Sequence, residues 1–138
     1  MEDVLITITG SRAGSDIEEV KEEYKGEHAS RNGIHYFFYD EYADGKAINK
    51  ISVKAGNGIF ELKKKGEQSL SFILEKGRIH KTNYVTPYGT FSLEFRTSEV
   101  DIKEMPGHME IYVEYELYMD GEPEYTTRLT YSAGYGQT

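Results

Sequence analysis

The stretch His108-Met109-Glu110-Ile111-Tyr112-Val113-Glu114-Tyr115-Glu116-Leu117-Tyr118-Met119 alternates without a break. Met109, Ile111, Val113, Tyr115, Leu117 and Met119 fall on one side, with Glu110, Tyr112, Glu114, Glu116 and Tyr118 on the other. Successive side chains of a strand point to opposite faces, so this pattern predicts a long β-strand with one buried and one wet face. Shorter stripes of the same kind are Val4, Ile6 and Ile8, then Leu70, Phe72 and Leu74, then Phe91, Leu93 and Phe95. Residues 34–42 carry Tyr36 and Phe38 on one face and Phe37 and Tyr39 on the other, which predicts a strand covered on both sides. Residues 48–53, 59–62, 79–85, 100–102 and 125–131 complete a set of about ten strands.

Between the stripes lie Asp44-Gly45, Asn57-Gly58, Gly66, Gly77, Gly89, Gly107 and Asp120-Gly121. Asp-Gly and Asn-Gly pairs tolerate the positive φ of tight hairpin turns. Closely spaced strands with no helical pattern between them indicate a sandwich or a barrel. The one candidate helix is the acidic stretch 15–24. Ser15 with Glu18 three residues on is a capping-box pattern, and Ile17, Val20 and Tyr24 stand at helical spacing. A charged edge strand is the other reading of those residues. The fold class is therefore all-β, with eight to ten strands and at most one short N-terminal helix.

With 138 residues the chain is the size of one domain, and residues 1–138 read as a single unit whose tail, 132–138, is expected to fray. The chain has no cysteine, which excludes disulfides, Cys-ligated metals and a thiol nucleophile and leans towards a reducing cytoplasm. Met1-Glu2-Asp3 is acidic and the apolar run behind it is short, unlike a signal peptide. No apolar stretch is long enough for a spanning helix. A net charge of −8 repels nucleic acid and anionic membranes, and Lys63-Lys64-Lys65 reads as a solvated strand edge.

The segment Thr82-Asn83-Tyr84-Val85-Thr86-Pro87-Tyr88-Gly89-Thr90-Phe91 resembles the signature turn of the YwiB-like family, small bacterial proteins of unknown function. The flanks agree. His35-Tyr36-Phe37-Phe38-Tyr39-Asp40-Glu41 lies upstream, while Phe95-Arg96-Thr97, Val100-Asp101-Ile102 and Tyr118-Met119-Asp120-Gly121 follow. The resemblance implies a single antiparallel up-and-down β-barrel, lipocalin-like (calycin), in a cytoplasmic, Gram-positive setting. It implies no activity. The turn Thr86, Pro87, Tyr88, Gly89 also has a purely structural account: Pro87 presets φ, Gly89 can take positive φ, and Thr86 before proline is held extended.

Motifs for chemistry are missing. His28, His35, His80 and His108 stand at no metal-ligand spacing and read as surface or turn residues. No nucleophile elbow or phosphate loop is present, and residues 10–15 read as a plain loop. Glu110, Glu114 and Glu116 face outward, so neither a catalytic residue, a metal nor a cofactor is expected. Arg96, His80 and Glu94 are the nearest titratable candidates should the chain be an enzyme. What remains is the barrel interior. Phe38, Phe72, Phe91, Phe95 and Tyr115 are expected inside, where they would line a pocket for a small hydrophobic ligand. The alternative is a filled barrel acting as an interaction or homodimerisation module through surface tyrosines such as Tyr112 and Tyr118.

Overall fold

The computed structural model describes residues 1–135. Its ten strands are β1 (Glu2–Ala13), β2 (Ile17–Arg31), β3 (Ile34–Ala43), β4 (Lys46–Gly56), β5 (Ile59–Gly66), β6 (Leu70–Glu75), β7 (Ile79–Thr86), β8 (Gly89–Met105), β9 (His108–Met119) and β10 (Glu122–Tyr135). They form one antiparallel sheet in the order β6-β5-β4-β3-β2-β1-β10-β9-β8-β7. Strands adjacent in sequence therefore pair, except β6 with β7, and β1 also pairs with β10. The sheet curls into a nearly closed barrel whose seam lies between β6 and β7.

The seam is pinned at two places. Ser69 and Val85 exchange backbone hydrogen bonds of 2.8 and 2.9 Å near one end of the barrel. Towards the other, Gly77 N–H donates to the Thr97 carbonyl at 2.9 Å, and Thr97 N–H donates to the Arg78 carbonyl at 3.1 Å. Thr97 can do this because the β8–β9 register shifts between Thr97 and Glu99. An extra residue there bends the strand. The same bulge joins residues 91–95 and 100–102, read separately from the sequence, into the one long strand β8.

Four hairpins turn on Asn32-Gly33, Asp44-Gly45, Asn57-Gly58 and Asp120-Gly121, and both residues of each pair have positive φ. The twist of such turns matches that of the strands they join. Asn32-Gly33, not singled out in the sequence, separates β2 from β3.

The acidic stretch 15–24 is strand. β2 pairs with β1 from Glu2↔His28 to Ala13↔Ile17, and strand parity turns Val20, Glu22 and Tyr24 to the interior while Ile17 stays exposed. A helix there would leave one edge of β1 unpaired, with only β10 beside it. The expected frayed tail is also ordered as far as the structure describes it. Ala133 and Tyr135 are buried in β10, and 136–138 lie outside the described residues.

The inner face has an apolar centre to which every strand but β7 contributes. Phe60, Leu74, Val113, Ile111 and Leu129 are fully buried at its centre. None of the helices needed for a membrane crossing exists among the described residues.

Candidate functional site

The two ends of the barrel differ. At the end holding the β2–β3 turn, four side chains form a row. Glu2 Oε1 lies 2.8 Å from His28 Nδ1, His28 Nε2 lies 2.9 Å from His35 Nδ1, and His35 Nε2 lies 2.7 Å from Glu104 Oε1. Both imidazoles are buried, at 3% and 4% exposure. Tyr135 stacks on His28 at 3.8 Å between ring centroids, and Phe37 packs at 5.0 Å. This row plugs the end. It corrects the expectation of surface histidines: the Asn32-Gly33 turn puts Ser30 opposite His35 and so aims His28 and His35 at the same interior.

The opposite end is open. A cavity of about 410 Å³ enters there and is walled by Ile8, Tyr39, Ile51, Leu62, Phe72, Leu93, Phe95, Tyr115, Leu117 and Tyr131, among others. Phe72 and Phe95 stack at 4.4 Å, and Tyr115 leans on Phe95 at 5.4 Å. Three of the five expected lining residues thus form one wall.

The other two do not. Phe38 points outward and is 38% exposed, because Phe37 and Tyr39 take the inner face of β3 and neighbours must alternate. Phe91 is on the inner parity of β8 but only half-buried. It lies beyond Leu93↔Met119, where the β8–β9 ladder begins, so β9 offers nothing across from it.

Charged groups ring the mouth. Arg12, Glu18, Glu22, Glu41 and Lys64 line it together with Tyr84, Tyr125 and Thr127. Lys64 Nζ meets Glu41 Oε1 at 3.0 Å, Asn49 Nδ2 donates to the same oxygen at 3.0 Å, and Tyr24 donates its hydroxyl proton to Glu22 at 2.8 Å. Two sequence readings change here. Lys64 is not a solvated edge residue, since its parity on β5 turns it to the mouth. Residues 10–13 are not loop, since β1 continues to Ala13 and carries Arg12 to the interior.

Burial pushes the phenols of Tyr39, Tyr115 and Tyr131 up from the ordinary value of 10.0. The Arg12 guanidinium works against that rise at Tyr115 and Tyr131. These phenols stay neutral in the folded barrel while the unfolded chain ionises. Below pH 10 they leave stability unchanged; above it, stability should fall by about 1.4 kcal/mol per pH unit for each protected phenol. An alkaline titration followed by phenolate absorbance should show these tyrosines ionising only as the fold is lost. A single smooth transition of all tyrosines with the fold intact would contradict their burial.

The remaining sequence candidates do not converge. Glu94 and Arg96 form an ion pair on the outer face, with the guanidinium 4.2 Å over the Tyr118 ring. His80 stands opposite Phe95 and so on the other face. Tyr112 donates its hydroxyl proton to Glu114, and Tyr118 donates to Glu116 at 3.0 Å, all on the outside of β9. The Thr86-Pro87-Tyr88-Gly89 turn closes the β7–β8 hairpin. Thr86 Oγ1 donates to the Gly89 carbonyl at 3.0 Å and accepts from Tyr88 N–H at 3.1 Å, with Gly89 at φ 136°. Among the described residues no group of three or more His, Asp or Glu side chains could hold a metal.

Fold and site define an up-and-down antiparallel barrel of ten strands, plugged at one end and hollow at the other. The chain belongs to the DUF1934 family, a domain of unknown function, whose profile matches residues 6–130. The chain is similar in fold to the crystal structure of the ywiB protein from Bacillus subtilis, with a TM-score of 0.86 and 15% identity over 99% of this chain and 93% of that one. The resemblance read around residues 82–91 thus holds. No curated protein matches the chain.

Proposed function

We propose that the barrel is a binding protein for a small, largely apolar molecule that enters by the open mouth. The observation carrying this reading is the aromatic cavity left between the packed centre and the charged rim. Its volume, about 410 Å³, is in the range of small-molecule sites. A filled barrel describes only the plugged half.

The neutral dye N-phenyl-1-naphthylamine tests this directly, because the chain has no Trp to compete with its fluorescence. Saturable enhancement at one site per chain is expected, lost when Leu117→Trp fills the mouth. A wild-type titration without saturation, or one indifferent to Leu117→Trp, would remove the proposal.

A further inference from the structure

We infer that the mouth selects an organic anion, holding an apolar body against the Phe72, Phe95 and Tyr115 wall and a carboxylate-like head on Arg12. This rests on the reading of the cavity as a binding site and adds the charge of its ligand.

Alternation along β1 carries Val4, Ile6, Ile8, Gly10 and then Arg12 to the inner face, so the guanidinium belongs to the cavity. It is partly buried and permanently charged. Among the described residues no carboxylate lies within 4.0 Å of it, and no side chain hydrogen-bonds to it. Three of the other charged groups are committed: Glu41 and Lys64 to each other, with Asn49 also on Glu41, and Glu22 to the Tyr24 hydroxyl. Glu18 stands opposite Arg12 across β1 and β2, but it is exposed and outside ion-pairing distance. Arg12 is therefore the uncommitted cation of the mouth. Its planar fork suits two parallel hydrogen bonds to a carboxylate or sulfonate. Tyr115 and Tyr131 line the same cavity as Arg12, and as O–H donors their phenols suit the same head. An amine would meet the reverse: a free cation beside it, Glu22 and Glu41 already held, and only the exposed Glu18 unpaired.

The test compares two dyes sharing one aryl body, neutral N-phenyl-1-naphthylamine and its sulfonated counterpart 1-anilinonaphthalene-8-sulfonate. Arg12→Met, which keeps the stem and removes the charge, should weaken the sulfonate by about tenfold or more while leaving the neutral dye within about twofold. Glu18→Gln should not weaken the sulfonate. An unchanged ratio of the two affinities in Arg12→Met would overturn the assignment while leaving the cavity reading intact; failure of both dyes on wild type would sink the cavity reading itself. Should Arg12→Met not fold, wild type still decides. Decanoate should displace the neutral dye at lower concentration than decanol, and equal displacement would overturn the inference.

Discussion

Replacing Phe60 with alanine should lower the unfolding free energy by about 3–5 kcal/mol, read as a drop in urea midpoint at unchanged slope. The ring is 0% exposed and packs on Tyr131 at 4.9 Å and Phe72 at 6.4 Å. It lies on the plugged side of the cavity, where strands on all sides hold the walls apart and the void cannot collapse. Phe95→Ala makes the informative contrast. That ring is also buried, but one side of it is cavity wall, so the space vacated joins a space already present. Its cost should fall towards the lower end, about 3 kcal/mol, and the affinity of the neutral dye should change, as it should not for Phe60→Ala. Equal dye affinities in both variants would show that the rings do not divide the interior in this way.

The second large effect is expected at the plug. His35→Leu leaves the buried Nε2 of His28 and the Glu104 carboxylate without their partner, and His28→Leu does the same to His35 Nδ1 and Glu2. Each single change should cost about 2–3 kcal/mol, because the abandoned group keeps its desolvation penalty. The double variant, with two apolar side chains in contact, should be less destabilised than the two singles added together. The difference should amount to about 1 kcal/mol or more in a double-mutant cycle. Strict additivity would mean that the two imidazoles act separately.

The parts of this molecule that followed from sequence are those with a local cause. His108–Met119 has a period of two because one face is core, and the observed β9 has those bounds. The Asp-Gly and Asn-Gly pairs turn because their residues accept positive φ. What escaped was parity carried past a stripe. Val4, Ile6 and Ile8 were legible as one inner face, and continuing the same count reaches Arg12, but the Gly- and Ser-rich run that starts at Gly10 hid the strand. Counting from Leu62 would likewise have turned Lys64 inward. Residues 15–24 misled for a different reason, since their helical spacing is real and only pairing with β1 overrides it. Phe91 has the right parity and the wrong height, and height in a barrel depends on where the next strand stops.

The pairing of β1 with β10 sets the order of events in assembly. Every other ladder joins strands that are neighbours along the chain, and each can form as soon as both have been synthesised. β1 instead must hold one side open through the making of eight further strands. Until β10 is added, β1 and β9 are both free edges, each a row of unpaired amides able to recruit another chain. Contact between such distant segments also slows folding, because a long loop must close before the pairing gives anything back. A nascent or shortened chain lacking β10 is therefore two ribbons, β1–β6 and β7–β9, that meet only at the seam and leave β1 and β9 as adhesive margins, and aggregation during synthesis is the hazard that this closure lessens.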